Sequence, residues 1–189
     1  MDFYNVEIKA RSKGIFRIRE LLLQRNARFV GTDFQRDTYF KVKKGKLKLR
    51  EGEIENYVIY YERDEIRGLK KSDVSLIKLD SQSELSNVMK KAFDVLAIVK
   101  KRREIYFIDN VKFHLDSIDG LGEFVEIEAK DEQMNLGITL LENQCKFYME
   151  LFKIEFKDLI NKSYLDLINE ENDNTDSEAF ISKKIFAFD

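Results

Sequence analysis

Charged side chains recur at every second position in several short segments of this chain. Asn5, Glu7, Lys9 and Arg11 alternate with Val6, Ile8 and Ala10, and Glu126 and Glu128 alternate with Val125, Ile127 and Ala129. Side chains of a β-strand point alternately to its two faces, so each segment presents one charged face and one apolar face. Carboxylates hold hard divalent cations and Lys or Arg hold phosphate oxygens, so a surface carrying both suits a polyanion bound together with metal. Glu7, Asp116, Glu126 and Glu128 are the candidate metal ligands, and Lys9, Arg11, Lys48, Arg50, Arg63, Lys101 and Arg103 the candidate anion-binding cations. A charged strand face is ordinarily the solvent side, where cross-strand ion pairs contribute little. That explanation suffices for one strand. Taken together, the first strand, KLKLR, KFHLD and FVEIE point instead to charged faces gathered around a common interior, with the apolar faces turned out against helices. Two like charges about 4 Å apart repel by roughly 4 kcal/mol at an effective dielectric of 20. An interior crowded with them is therefore expected to gain stability when polyphosphate and metal enter.

The elements that must position these residues follow from periodicity. After a first strand over residues 3 to 11, IFRIRELLLQRN places Ile15, Ile18, Leu21 and Leu22 at helical spacing. An extended stretch from Arg28 to Val42 and the segment KLKLRE flank Lys44 and Gly45, which predicts a hairpin. A two-residue loop there sets Lys41 opposite Lys48 and Tyr39 opposite Arg50, with Asp37, Tyr39, Lys41, Lys48 and Arg50 on one face and Leu47 and Leu49 on the other. Residues 57 to 63 and 72 to 79 read as strands around a charged loop containing Gly68. Leu85, Val88, Met89, Ala92, Phe93 and Leu96 predict a helix from Ser83, its N-cap, to Val99.

Strands over 100 to 108 and 111 to 118 meet at Asp109 and Asn110, a pair that tolerates positive φ. This register sets Arg103 opposite Asp116 and gathers Lys101, Arg103, Lys112, His114 and Asp116 on one face; composition alone leaves Lys100 and Arg102 as the alternative inward pair. An eighth strand over 122 to 130, a helix over 132 to 152 bearing Met134, Ile138, Leu141 and Cys145, and a short helix at 163 to 168 follow. His114, taken alone, reads as a hydrogen-bonded structural histidine, and Cys145 as a small apolar residue. The fold expected is α+β: an eight-stranded antiparallel tunnel with a polar interior and helices packed outside, spanning residues 1 to 168. Residues 169 to 178 are acidic and polar, and the rest form a terminal extension.

Composition narrows the function further. The 189 residues carry 33 Lys and Arg against 35 Asp and Glu, a net charge of −2 that provides no overall attraction to nucleic acid or anionic membranes. Any anion site must be local. One cysteine excludes an internal disulfide, and no apolar run approaches the roughly 20 residues of a membrane span. MDFYNVEIKAR lacks the basic and apolar stretches of a secretory signal, so a soluble cytoplasmic protein is expected. Neither a Walker glycine loop nor a dinucleotide fingerprint is present.

NVEIKAR at 5 to 11, QRDTYFKVKKGKLKLRE at 35 to 51, YYER at 60 to 63, KKRREIY at 100 to 106 and NVKFHLDSIDGLGEFVEIE at 110 to 128 resemble, in order, the blocks of the CYTH family of triphosphate tunnel metalloenzymes, and within it the class IV adenylyl cyclases. The resemblance implies a tunnel that grips a triphosphate with Lys9, Arg11, Lys48, Arg50, Arg63, Lys101 and Arg103. It also implies one or two Mg2+ or Mn2+ ions on Glu7, Asp116, Glu126 and Glu128, catalysis through Glu7, Lys9, Asp116 and Glu126, and a homodimer. The family signature Glu-x-Glu-x-Lys is here Asn5-Val6-Glu7-Ile8-Lys9, so the first acid is replaced by a neutral carbonyl oxygen. For a cyclase the ribose 3′-oxygen of ATP attacks the α-phosphorus; in the competing triphosphatase, acting on thiamine triphosphate or tripolyphosphate, water attacks the terminal phosphorus. The missing acid also leaves open a non-catalytic polyphosphate or nucleotide sensor.

Overall fold

A computed structural model describes residues 4–63, 72–80, 84–131 and 135–171. The order of elements is β1 (Tyr4–Arg11), α1 (Ile15–Gln24), β2 (Arg28–Phe40), β3 (Lys46–Glu51), β4 (Tyr57–Arg63), β5 (Ser72–Lys78), α2 (Leu85–Ala92), β6 (Val95–Ile108), β7 (Val111–Ile118), β8 (Gly122–Asp131) and α3 (Ile138–Leu151). A 3-10 turn follows over Phe156–Asp158, and a last helix, α4, over 164–171. All eight strands join one sheet in the order β1-β8-β7-β6-β2-β3-β4-β5, and all seven neighbouring pairs are antiparallel. The sheet curls into a half-barrel whose ends are β1 and β5.

The inverted polarity is realised. Val6, Ile8 and Ala10 of β1, Val111, Phe113 and Leu115 of β7 and Val125, Ile127 and Ala129 of β8 form the outer core, where Ile15, Ile18 and Leu22 of α1 and Leu141, Cys145 and Tyr148 of α3 cover them. Burying this apolar area is the main stabilising term at roughly 25 cal/mol per Å2, and it holds the charged faces inward. Phe40 of β2, Leu49 of β3 and Met89 of α2 make a smaller outer cluster. α4 departs from the expected arrangement of helices outside the tunnel: Tyr164, Leu165 and Leu167 pack against Tyr39, Val99, Ile118 and Phe124, which lie on the inner face at one end.

Four expectations need correction. The β2–β3 loop spans residues 41–45, not two residues, so Tyr39 faces Lys48 and Asp37 faces Arg50. The slip is two residues, which leaves every side chain on its expected face but drops Lys41 from the strand. The helix expected to reach Val99 ends at Ala92; Phe93 is already extended at φ −127° and ψ 146°, and β6 begins at Val95. α3 starts at Ile138 instead of 132, and α4 runs on to residue 171. Asp109 does take the left-handed conformation, at φ 49°, and Arg103 faces Asp116. Ser83, Met134, the Gly68 loop, the Arg63 side chain and residues 172–189 lie outside the described residues.

Candidate active site

The inner face encloses a cavity of about 180 Å3. Lys9, Lys48, Arg50, Arg103, Lys112 and Lys130 supply its cations, and Glu7, Glu55, Glu126 and Glu128 its acids. Tyr57, Ile59, Tyr61, Val74 and Leu76, from β4 and β5, make one wall largely of rings and aliphatic carbon. Strand alternation explains the collection: β1, β3, β7 and β8 each contribute residues two apart, and β6 contributes Arg103.

Charges of opposite sign are interleaved. Arg103 donates from Nε to Asp116 Oδ1 at 2.6 Å and from Nη2 to Asp116 Oδ2 at 2.5 Å and Glu126 Oε2 at 2.9 Å. Glu126 also takes Lys9 Nζ at 2.8 Å and His114 Nδ1 at 2.8 Å, while the Tyr164 hydroxyl donates to Asp116 at 2.7 Å. Asp37, fully buried, accepts from Arg50 Nε at 2.8 Å, Lys48 Nζ at 2.9 Å and Lys101 Nζ at 2.8 Å. Burial disfavours the Asp37 carboxylate, but Arg50, Lys101 and Lys48 outweigh it and hold its pKa well below the usual range. Glu126 is held low the same way, with Lys9 and Arg103 overcoming burial. The crowding of like charges expected from the sequence is thus relieved internally by Asp37, Asp116 and Glu126, and by Glu55, which pairs with Arg50 and Lys112.

The lysines show the other side of this balance. Burial lowers Lys101 to about 7 and Lys48 to about 8, with Arg50 pushing both the same way against Asp37. An arriving polyanion favours the ammonium form, so its binding raises these pKa values and draws protons from solvent when the pH is near or above them. Tripolyphosphate binding is expected to take up a fraction of a proton near the Lys48 value of about 8 and none well below the Lys101 value of about 7, with affinity falling as pH rises through this window. Calorimetry in two buffers of different ionisation enthalpy reads the uptake directly; equal heats near the upper value would refute it.

Of the residues proposed from sequence, Glu7, Lys9, Lys48, Arg50, Arg103, Glu126 and Glu128 come together around the cavity. Asp116 lies beneath it, fully buried with Arg103 and Tyr164 on its oxygens, and Lys101 lies beneath it on Asp37. Arg11 does not join them: it is exposed, donating to Leu121 O at 2.8 Å with its guanidinium 5.2 Å from the Phe124 ring centre. Sequence reasoning put Asp37, Lys112 and His114 on the right face without assigning them a role, and it missed Glu55 and Tyr164. Glu55 sits in the turn after β3, outside any alternating pattern. That turn wraps Asp33, whose carboxylate accepts the backbone N–H of Glu53 at 2.8 Å, Ile54 at 3.2 Å and Glu55 at 2.9 Å. A Cβ at Gly52 would come within 2.6 Å of Asp33 Oδ2, so the wrap needs glycine there.

Mg2+ and Mn2+ take oxygen donors, and Mg2+ commonly binds through one or two carboxylates, with phosphate oxygens and water completing its shell. Glu7 and Glu128 are cross-strand partners facing the cavity, and Asn5 donates Nδ2 to Glu128 Oε1 at 3.0 Å. Asn5 Oδ1 is buried without a hydrogen-bond partner. These oxygens fit a hard divalent cation, and the neutral Asn5 carbonyl takes the place of the missing acid. Among the described residues no three acidic, histidine or cysteine side chains form a ready-made cage. Such a set suits an ion whose coordination is shared with substrate.

The CYTH domain model matches residues 4–164, most of the chain. The chain belongs to the CYTH domain family. CYTH proteins are triphosphate-acting enzymes, which accounts for the pairing of cations with hard-oxygen donors. A Methanocaldococcus jannaschii protein provisionally named adenylate cyclase is 26% identical over 171 residues, covering 86% of this chain and 97% of its own. Among solved structures, a Pyrococcus horikoshii protein superposes with a TM-score of 0.70 at 24% identity, covering 86% of this chain and 98% of its own. A Hippeastrum protein, provisionally an adenylyl cyclase and described as having a dominant triphosphatase activity, has a TM-score of 0.61 at 12% identity over 90% of this CYTH chain and 96% of its own. No helix among the described residues is long and apolar enough to cross a membrane.

Proposed function

We propose that this CYTH protein converts ATP to 3′,5′-cyclic AMP and pyrophosphate. The observation that carries this reading is the meeting, in one cavity, of a cationic floor with the apolar and aromatic wall of Tyr57, Ile59, Tyr61, Val74 and Leu76. Such a wall can pack a nucleoside, whereas inorganic tripolyphosphate would leave it unused. The name of the Methanocaldococcus jannaschii relative points the same way.

In this reading Lys9, Lys48, Arg50, Arg103 and Lys112 bind the phosphates, and those nearest the leaving pyrophosphate stabilise the charge that develops on it. Asp116 acts on Arg103, fixing the orientation of its guanidinium fork. A divalent ion on Asn5, Glu7 and Glu128, when bound, supplies Lewis-acid polarisation of phosphoryl oxygens. His114 donates its Nδ1 proton to Glu126 and leaves an unpartnered Nε2 toward the cavity, positioned to accept the ribose hydroxyl proton. Burial, with Arg103 and Lys112 beside it, lowers the His114 pKa and keeps the ring neutral at physiological pH.

The competing reading, hydrolysis of a terminal phosphate, draws on the same floor and is favoured by the dominant triphosphatase activity ascribed to the Hippeastrum neighbour. Purified protein given ATP, thiamine triphosphate or tripolyphosphate with Mg2+ or Mn2+ distinguishes them by product. Cyclic AMP with stoichiometric pyrophosphate from ATP is expected. Orthophosphate from all three substrates without cyclic AMP would replace the cyclase by a triphosphatase, and tight binding without product would make the protein a sensor.

A further inference from the structure

Glu55 stands among the cavity's cations as an anion would. It is 6% exposed and lines the cavity. Arg50 Nη1 donates to its Oε2 at 2.7 Å and Gln35 Nε2 to the same oxygen at 2.9 Å, while Lys112 pairs with its Oε1. Arg103 Nη1 lies 3.9 Å and His114 Nε2 4.0 Å from the carboxylate. Five nitrogens from four strands therefore converge on a single carboxylate. Burial raises its pKa, but the charges of Arg50, Lys112 and Arg103 overcome this and hold Glu55 far below the normal range, so it remains an anion.

The other acids that neutralise the cations are built in more firmly. Asp37 and Asp116 are fully buried beneath the cavity, and Glu126 is a strand residue gripped by Lys9, Arg103 and His114. Glu55 alone of these comes from a turn, at the end of a flexible side chain. The backbone of that turn is fastened by Asp33, so the carboxylate can leave by side-chain rotation without unfolding the turn. A phosphoryl group carries three acceptor oxygens and more charge than a carboxylate, and satisfies the same donors better.

We propose that Glu55 is an internal stand-in for a phosphoryl group, occupying a subsite formed by Arg50, Lys112 and Arg103 until a polyphosphate expels it, and that it thereby sets the shortest polyphosphate the cavity accepts. This rests on the reading of the cavity as a polyphosphate site. Expulsion carries the same cost whatever the ligand's length. A triphosphate offsets that cost with contacts to Lys9 and Lys48 beyond this subsite, and a shorter anion reaches fewer of them. Glu55 thus sets a threshold that only the longer chains exceed, without touching the bound ligand and without altering the ratio of their affinities.

The test is calorimetric titration of the full chain and Glu55→Gln with tripolyphosphate and with pyrophosphate, in chelator and without metal, together with thermal melts of both proteins alone. The glutamine variant is expected to bind both anions at least roughly tenfold more tightly, which brings pyrophosphate into the saturable range, while melting lower in their absence. A purely structural Glu55 would lower melting and weaken binding together, and that result, or unchanged affinities, would overturn the proposal. Glu55→Asp keeps the charge but withdraws it by one methylene. It should show a smaller gain in affinity, and it decides the matter if the glutamine variant does not fold; no gain there would likewise overturn it. Wild-type protein that binds tripolyphosphate beside a variant with no gain refutes the stand-in alone, whereas failure of either protein to bind any anion refutes the polyphosphate reading as well.

Discussion

Replacing Arg103 with methionine is expected to abolish triphosphate turnover and to lower stability by about 3–5 kcal/mol. The guanidinium is 2% exposed and bridges Asp116, for which it is the one ion-pair partner among the described residues, and Glu126, which also holds Lys9. Methionine matches much of the stem's volume, so the loss reports charge more than a cavity. Removing a whole buried ion group can be neutral, but removing one member so that a partner such as Asp116 stays buried without its counterion is the costly case. Asp116 would keep only the Tyr164 hydroxyl among the partners described for it. For a chain of 189 residues the expected loss corresponds to a fall in Tm of roughly 6–20 °C. Arg103→Lys should restore little, since an ammonium cannot reproduce the two-pronged contact with Asp116. Denaturant titration and turnover on the same samples check this; near-native stability in Arg103→Met would show that Asp116 does not depend on it.

Glu7→Gln is expected to act almost entirely on chemistry. Glu7 lines the cavity opposite Glu128 and is only partly buried, so the fold should persist, with Tm changed by no more than about 2 °C. Turnover should fall roughly 10²–10³-fold, the size of losing several kcal/mol of Lewis-acid stabilisation. The half-saturating metal concentration should rise, and excess Mn2+ should recover part of the rate. Metal-free binding of tripolyphosphate should hold or tighten, because the substitution removes a negative charge from the cavity. Turnover unaffected at limiting metal would remove Glu7, and the Asn5–Glu7–Glu128 oxygen set with it, from the metal role.

The faces of the strands were legible because alternation is a local property that survives errors of register. The β2–β3 slip shows this: the loop was misjudged by three residues, yet Lys48 and Arg50 stayed on the inner face because the pairing moved by two. The boundary of α2 was not legible. Phe93 and Leu96 continue the spacing of Leu85, Val88, Met89 and Ala92, so helix and strand share one apolar run, and only Phe93 turning extended separates them. Within the site, residues on strands could be collected by counting in twos. Glu55 and Tyr164 could not, since one comes from a turn shaped around Asp33 and the other from a helix more than 40 residues after its partner Asp116. Asp37 was placed correctly but left without a role, because its importance comes from three cations on two other strands that meet only in the folded sheet.

Among the described residues the sheet is open: β1 and β5 are its two ends and do not pair with each other. A closed barrel would oblige a nucleotide to thread lengthwise through a fixed bore. An open ladder leaves a slot along the side, so a bulky base can be laid in broadside while its phosphates settle against the far strands. Such a trough can also spread or tighten around guests of different girth by changing curvature alone, with every rung of backbone pairing kept intact.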